Sequence, residues 1–193
     1  MPEHGQIIQS ITPLLYSEDE TRRALLLISH AMGEIIIQFE RIEKERETLQ
    51  HLICTEGASK FNADRNMQEQ YLESQNLLFA DVHFLFVSLK RLKTCFDRIA
   101  KHYLHDAEFK ELKNRYSNLL RQINHFRNCI EHIDQEADRG VKNLYQINVG
   151  DSCSFVFDGK EINIGFSLRE EVTQFHRDLI SAIRAINEKR RRI

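Results

Sequence analysis

One apolar stripe, in the stretch from Asp106 to Asp134, constrains the fold of this chain more than any other feature. Its apolar residues recur at alternating spacings of three and four: Phe109, Leu112, Tyr116, Leu119, Ile123, Phe126, Ile130 and Ile133. This spacing places them all on one face of an α-helix. Asp106 stands just before the stripe, where its carboxylate can accept hydrogen bonds from the free amides of a first helical turn. The pattern therefore predicts one amphipathic helix over the whole stretch.

Two long helices are predicted before this one. The first begins at Ser17, where Glu20 completes a capping box, and its apolar stripe continues to Ile53. A loop over Thr55–Asp64 leads to a second helix over Asn66–Tyr103. The middle of the second helix is apolar nearly all round, so we expect it to be central in a bundle or to lie in a subunit interface.

A small β element is predicted before the last helix. The segments Leu144–Val149 and Cys153–Phe157 alternate as strands do, and Asp158-Gly159 is a tight hairpin signal. A third strand is expected over Ile162–Phe166. Ser167 with Glu170 then forms a capping box that starts the C-terminal helix.

These elements predict a mainly α fold. We expect an elongated antiparallel helical bundle with a small three-stranded antiparallel β element before the C-terminal helix. The 193 residues are enough for one domain, so residues 1–193 are assigned to a single helical domain with a β insert at 144–166.

Composition excludes several classes of protein. With 41% hydrophobic and 29% charged residues, the chain should be globular. A net charge of -2 gives no global field towards nucleic acid or membrane, and no apolar run reaches membrane-spanning length. The four cysteines form no Cys-x-x-Cys pair, which disfavours structural zinc. No signal peptide is evident, so we expect a cytoplasmic protein with buried thiols.

Late in the Asp106–Asp134 helix lie the residues that suggest chemistry, Arg127, Asn128 and His132. RNA carries its own nucleophile, the 2′-hydroxyl, whose proton a histidine titrating near neutrality can remove. An arginine can hold the scissile phosphate with its rigid donor fork, and Asn128 can orient either group. This set needs no metal or other cofactor. The alternative is structural, since Arg127 can form a salt bridge with Glu131 four residues on.

Helix geometry suggests that one chain alone would close such a site poorly. At about 100° per residue, Asn128 and His132 lie together opposite the apolar stripe, while Arg127 lies about 140° from His132. Two copies that face each other would place both pairs around one phosphate.

The segment Arg127-Asn128-x-x-x-His132 resembles the signature of the HEPN superfamily, in which an arginine and a polar residue precede a histidine late in a long helix. The resemblance extends over residues 17–135 and the final helix; the β insert is not part of the usual core. It implies a helical bundle of four or five helices that dimerises with the motifs facing a shared cleft. It also implies a metal-independent ribonuclease of a toxin–antitoxin, phage-defence or RNA-processing system, although other members only bind.

Other candidate sites have plainer structural explanations. The three cations Lys90, Arg91 and Lys93 form either a solvated face or a phosphate track. The C-terminal run Lys189–Arg192 either interacts favourably with the dipole of the last helix or contacts nucleic acid. Two pairs have spacings that metal ligands use, His102 with His105 and His125 with Cys129. We expect the helix to end between His102 and His105. For the second pair, we expect a surface histidine beside a half-buried thiol.

The sequence therefore favours a HEPN-type endoribonuclease, metal-independent and cofactor-free, that cleaves RNA in a homodimeric composite site. Its expected partners are a second copy, RNA and a cognate antitoxin or other protein, with no membrane association. The alternative is a non-catalytic dimeric helical module that binds a partner protein or a nucleotide.

Overall fold

A computed structural model describes residues 19–54, 64–126, 145–150, 153–157 and 160–191. The described helices are α1 (Asp19–Cys54), α2 (Arg65–His102), α3 (Ala107–Arg115), α4 (residues 117–126) and α5 (Phe166–Arg191). The strands are β1 (Tyr145–Val149), β2 (Cys153–Phe157) and β3 (Lys160–Asn163), which lie between α4 and α5 in sequence. The predicted mainly α fold, with a small three-stranded antiparallel sheet before the C-terminal helix, is confirmed. Within the described ranges, no helix is sufficiently long and apolar to cross a membrane.

Helices α1 and α2 match the predicted long helices closely. Ser17, the predicted cap of the first helix, lies outside the described residues. Asp64 is the cap of α2, because its Oδ1 accepts the amides of Asn66 at 2.9 Å and Met67 at 3.3 Å. A capping carboxylate of this kind satisfies amides that have no partner within the helix.

The predicted single helix over Asp106–Asp134 is wrong in one respect, because it is interrupted at Tyr116. There φ is -100° and ψ is 16°, which separates α3 from α4. The interruption is small, since the amide of Leu120 still donates to the carbonyl of Tyr116 at 2.9 Å. Its cause is tertiary: the Tyr116 hydroxyl donates to Asp178 on α5 at 2.8 Å, and its ring packs edge-on against Phe175. The apolar spacing is the same on both sides, so the sequence pattern carries no sign of it.

Asp106 occupies the predicted cap position of α3, but its side chain does not cap the helix. The residue is extended, with φ -77° and ψ 127°, and makes no side-chain cap hydrogen bond. Its Oδ2 accepts Arg190 Nη2 of α5 at 2.9 Å instead. A cation on a distant helix thus outcompetes the local amides for this carboxylate.

The three strands form one antiparallel sheet in the order β1-β2-β3. Val149 pairs with Cys153 and Phe157 pairs with Lys160, so both predicted hairpins are present. Leu144 and the turn residues Asp158 and Gly159 lie outside the described residues. The third strand ends at Asn163, three residues before the predicted end at Phe166.

The predicted third strand and the start of the last helix need correction. Strand β3 ends at Asn163, and Phe166 is the first residue of α5 and 75% exposed. Ser167 therefore lies inside the helix and is not its cap. Asn163 Oδ1 accepts the amide of Gly165 at 2.8 Å, and the carbonyl of Gly165 accepts the amide of Arg169. This side-chain turn lies directly before α5, which begins earlier than the capping-box pattern predicts.

The chain divides into two compact units, each with its own core. The described part of the first unit comprises residues 19–35, 87–126 and 170–191. Its core is aromatic: the ring of Phe96 lies 5.4 Å from Phe109 and 5.3 Å from Phe175. Offset and edge-on ring pairs at these distances are favourable beyond their buried area.

The second unit comprises residues 36–54, 64–86 and the described part of 145–169. The sheet packs on α2 through Phe155, whose ring meets Phe86 edge-on at 5.3 Å. Arg46 of α1 also holds the β1–β2 connection, since its Nη1 donates to the carbonyl of Gly150 at 3.0 Å. Glu43 accepts from the same guanidinium and raises the pKa of Arg46, so Arg46 stays charged.

Candidate functional site

The helix that leads into the predicted motif has the phase that the sequence predicts. Leu119, Ile123 and Phe126 of α4 are all buried, with Leu119 and Phe126 completely so. His125 is half-buried beside them. The stripe therefore anchors the helix up to the residue that directly precedes Arg127.

The motif residues themselves, Arg127, Asn128 and His132, lie outside the described residues, as does Glu131. The structure thus gives the position of α4 up to Phe126, directly before the motif. The roles of the motif side chains stay sequence predictions. Cys129, the predicted neighbour of His125, also lies outside.

A polar network fixes the α3–α4 junction upstream of the motif. Asp178 Oδ2 accepts the Tyr116 hydroxyl and Arg115 Nη1 at 2.9 Å, while Oδ1 accepts Gln174 Nε2 at 2.7 Å. Burial opposes ionisation of Asp178, but these hydrogen bonds outweigh it and lower its pKa. Burial and the bond to Asp178 raise the pKa of Tyr116 to about 12. Tyr116 is therefore a neutral donor at physiological pH and positions α4 on α5.

The predicted cation cluster on α2 is largely engaged in ion pairs. Arg91 Nη1 lies 2.5 Å from Glu34 Oε1, and Lys93 pairs with Asp97 at 2.5 Å. Lys90 is half-buried. These partners favour the interpretation of a salt-bridged helix surface over a phosphate track.

The basic residues at the end of α5 also form ion pairs within the first unit. Lys189 forms an ion pair with Glu108, and Arg190 pairs with Asp106. The Arg190 guanidinium carbon lies 5.0 Å from the centre of the Tyr103 ring, in reach of a cation–π contact. Lys189 therefore attaches α5 to the first turn of α3, and Arg190 attaches it to the connection between α2 and α3.

Two buried titratable groups were not singled out by the sequence analysis. Asp81 is 1% exposed on α2 and lies 2.9 Å from Arg41 Nε on α1. Burial raises the pKa of Asp81, and Arg41 partly offsets this effect. A carboxylate within the apolar run Leu77–Leu92 was the available signal. His176 of α5 is the other group, 4% exposed beside the stripe residue Phe175.

The buried cysteines behave as apolar core residues. Cys95 and Cys153 are free thiols, 3% and 1% exposed, as the sequence predicts for cysteines in apolar runs. Burial raises the pKa of Cys153 to about 11. Because the thiolate is the reactive form, neither position offers a nucleophile at neutral pH.

The histidine pairs do not extend into a metal site within the described ranges. Helix α2 ends at His102, so His105 follows the helix end as predicted. In the part of the chain that the structure describes, no three His, Cys, Asp or Glu side chains are grouped to hold a metal ion.

No protein-family model, curated protein or solved structure matches this chain.

Proposed function

We propose that this protein is a metal-independent endoribonuclease of the HEPN type that works as a homodimer. The observation that supports this proposal most directly is the position of the motif. Arg127-Asn128-x-x-x-His132 begins immediately after Phe126, the last described residue of a helix whose stripe is buried to that point. If the same helix phase continues, Asn128 and His132 project away from the stripe, where a substrate can approach.

The chemistry assigns one role to each residue. His132 takes the proton of the ribose 2′-hydroxyl, and the 2′-oxygen attacks the adjacent phosphorus. Arg127 donates to the phosphate oxygens, where negative charge develops in the transition state. The bond to the 5′-oxygen breaks and that oxygen takes up a proton, which leaves a 2′,3′-cyclic phosphate and a 5′-hydroxyl. Asn128 orients the imidazole or the phosphate.

The first prediction tests this chemistry with single-stranded RNA and DNA of one sequence. We expect cleavage of the RNA only, because DNA lacks the 2′-hydroxyl, and we expect it to continue in the presence of a chelator. His132→Ala and Arg127→Ala should each slow cleavage by roughly a hundredfold or more, the usual effect of removing a general base or a charge-stabilising donor. The measurement is the rate of appearance of the 2′,3′-cyclic phosphate product.

Glu131→Gln is the matched control for this experiment. If Arg127 serves only a salt bridge with Glu131, then Glu131→Gln and Arg127→Ala should lower thermal stability alike and neither should change catalysis selectively. If Arg127 is catalytic, Glu131→Gln should retain most of the activity. A folded wild-type protein without activity on a broad RNA pool would contradict the proposal.

A non-catalytic interaction module is the second candidate, and exposed apolar side chains favour it. Leu77 and Phe84 of α2 are 41% and 56% exposed in the described chain. Exposed apolar side chains grouped on one face are typical of surfaces that bind other proteins. In this case the motif helix would be part of a recognition surface, and the RNA experiment above separates the two functions.

A further inference from the structure

Helix α2 carries a second stripe in addition to the one it buries. The residues of this stripe are Glu73, Leu77, Ala80, Phe84, Val87 and Arg91, at spacings of four, three, four, three and four. We call these six residues the α2 seam. At about 100° per residue they lie within a face about 80° wide. This is the a/d pattern by which one helix packs along another.

The α2 seam faces away from the core that α2 already serves. Leu78, Val82 and Leu85 are buried, with relative exposures of 1% or less. In contrast, Leu77 is 41%, Phe84 56% and Val87 38% exposed. Helix α2 therefore packs on the core with one face and exposes apolar residues of the α2 seam on another.

The two ends of the seam carry opposite charges. Glu73 is exposed at the N-terminal end, and the side chain of Arg91 is 45% exposed at the C-terminal end. Arg91 Nη1 contacts Glu34, but a guanidinium has five donors and can hold a second carboxylate. The order along the helix is thus acid, apolar, apolar, apolar, apolar, base.

We propose that the α2 seam binds the α2 seam of a second copy of this chain in an antiparallel arrangement. In that arrangement Leu77 meets Val87 of the second copy, and the small Ala80 accommodates its large Phe84. Glu73 meets Arg91 of the second copy at both ends. A parallel arrangement would instead place Glu73 against Glu73 and Arg91 against Arg91, which is unfavourable.

Self-complementarity is the reason for choosing a second copy as the occupant. The seam matches its own reverse in charge and in size, which is what a two-fold interface requires, since each residue then makes its contact twice. The inference specifies the interface of the homodimer that the proposed function requires. Its test measures association and not cleavage, so its failure is distinguishable from failure of the ribonuclease chemistry.

The second prediction compares two glutamate substitutions on the same helix. Phe84→Glu places a charge within the seam twice per dimer, and we expect the dissociation constant to rise at least roughly tenfold, since burying an unpaired charge is costly. Leu72→Glu is the control, because Leu72 is 57% exposed but lies outside the seam. Sedimentation equilibrium at micromolar concentrations measures both, with circular dichroism to confirm folding.

Glu73 tests the direction of the pairing without an apolar substitution. In the antiparallel seam, Glu73→Gln removes an attraction and should weaken the dimer, and Glu73→Arg adds a repulsion and should weaken it further. Both effects should shrink at high salt. In a parallel seam, Glu73→Gln would tighten the dimer instead.

Several results would overturn the proposal. These are a wild-type protein that stays monomeric, a Phe84→Glu variant that associates as the wild type does, and a Leu72→Glu variant that is weakened equally. Tightening by Glu73→Gln would refute the antiparallel arrangement. A dimer that Phe84→Glu leaves unchanged would refute the seam and leave the ribonuclease proposal standing.

Discussion

At the scale of single residues, His176 illustrates how the position of a side chain decides its charge. It lies in α5 with 4% exposure, and its Nε2 has no hydrogen-bond partner among the described residues. Burial, with a contribution from the charge of Arg177, lowers its pKa from 6.5 to about 4. His176 is therefore neutral in the folded protein at physiological pH.

The third prediction follows from this lowered pKa. In the unfolded chain His176 binds a proton below pH 6.5, whereas in the folded chain it does so only near pH 4. Between these values the unfolded state binds more protons, so His176 contributes stability above pH 6.5 that is lost as the pH falls towards 4. The loss should reach up to about 1.4 kcal/mol per pH unit.

Urea denaturation across this pH range measures the effect. His176→Leu, which cannot titrate, should flatten the dependence of the unfolding free energy on pH. His105→Asn removes an exposed histidine and is the control. An unchanged slope in His176→Leu would show that other groups cause the acid dependence.

At the scale of elements, the β sheet is part of the core of the second unit. Cys153 and Phe155 are 1% exposed, and Ile164 just after β3 is completely buried. The ring pair of Phe155 with Phe86 joins the sheet to α2, and the Arg46 hydrogen bond to Gly150 joins it to α1. The insert therefore contributes to folding, whatever its effect on the motif.

The fourth prediction concerns the substitution Phe155→Ala. It removes the ring that packs against Phe86, so the unfolding free energy should fall by about 3–5 kcal/mol, the range for deleting a buried aromatic side chain. Val156→Ala is the control, because Val156 is on the same strand and only half-buried. Equal losses for the two variants in thermal or urea unfolding would contradict this account of the sheet.

At the scale of the whole molecule, the proposed activity depends on association. On an ideal helix Arg127 lies about 140° from His132, too far round for one copy to place both side chains on the same phosphate without help. The proposed pairing of two α2 seams would bring two copies together. Activity should therefore follow the dimer population and decline on dilution.

The fifth prediction uses mixed dimers. A chain with Arg127→Ala and a chain with His132→Ala should each retain only the strongly reduced activity of the first prediction when alone. If one site takes Arg127 from one copy and His132 from the other, mixing them forms one intact site in each mixed dimer, and part of the RNA cleavage returns. If each copy holds a complete site, mixing restores nothing. Phe84→Glu on both chains should abolish the recovery.

The sequence by itself determined which side of each helix is buried. The apolar residues recur with the period of the helix, because the same face of the helix packs on the core at every turn. Leu119, Ile123 and Phe126 confirm it for α4, and the cross-strand pairs confirm the two predicted hairpins. The assignment of Arg127 and His132 rests on the spacing and chemistry of the motif, and it stays a prediction.

Only the tertiary structure decided where elements break and which charges pair. The interruption at Tyr116 depends on Asp178, and the carboxylate of Asp106 is taken by Arg190 of α5. Arg91 finds Glu34 on another helix. These partners are far apart in sequence, so a local sequence pattern cannot predict that they pair. Long-range contacts and local capping or turn preferences compete for the same polar groups. A polar group bonds to the distant partner where the fold brings that partner within hydrogen-bond distance.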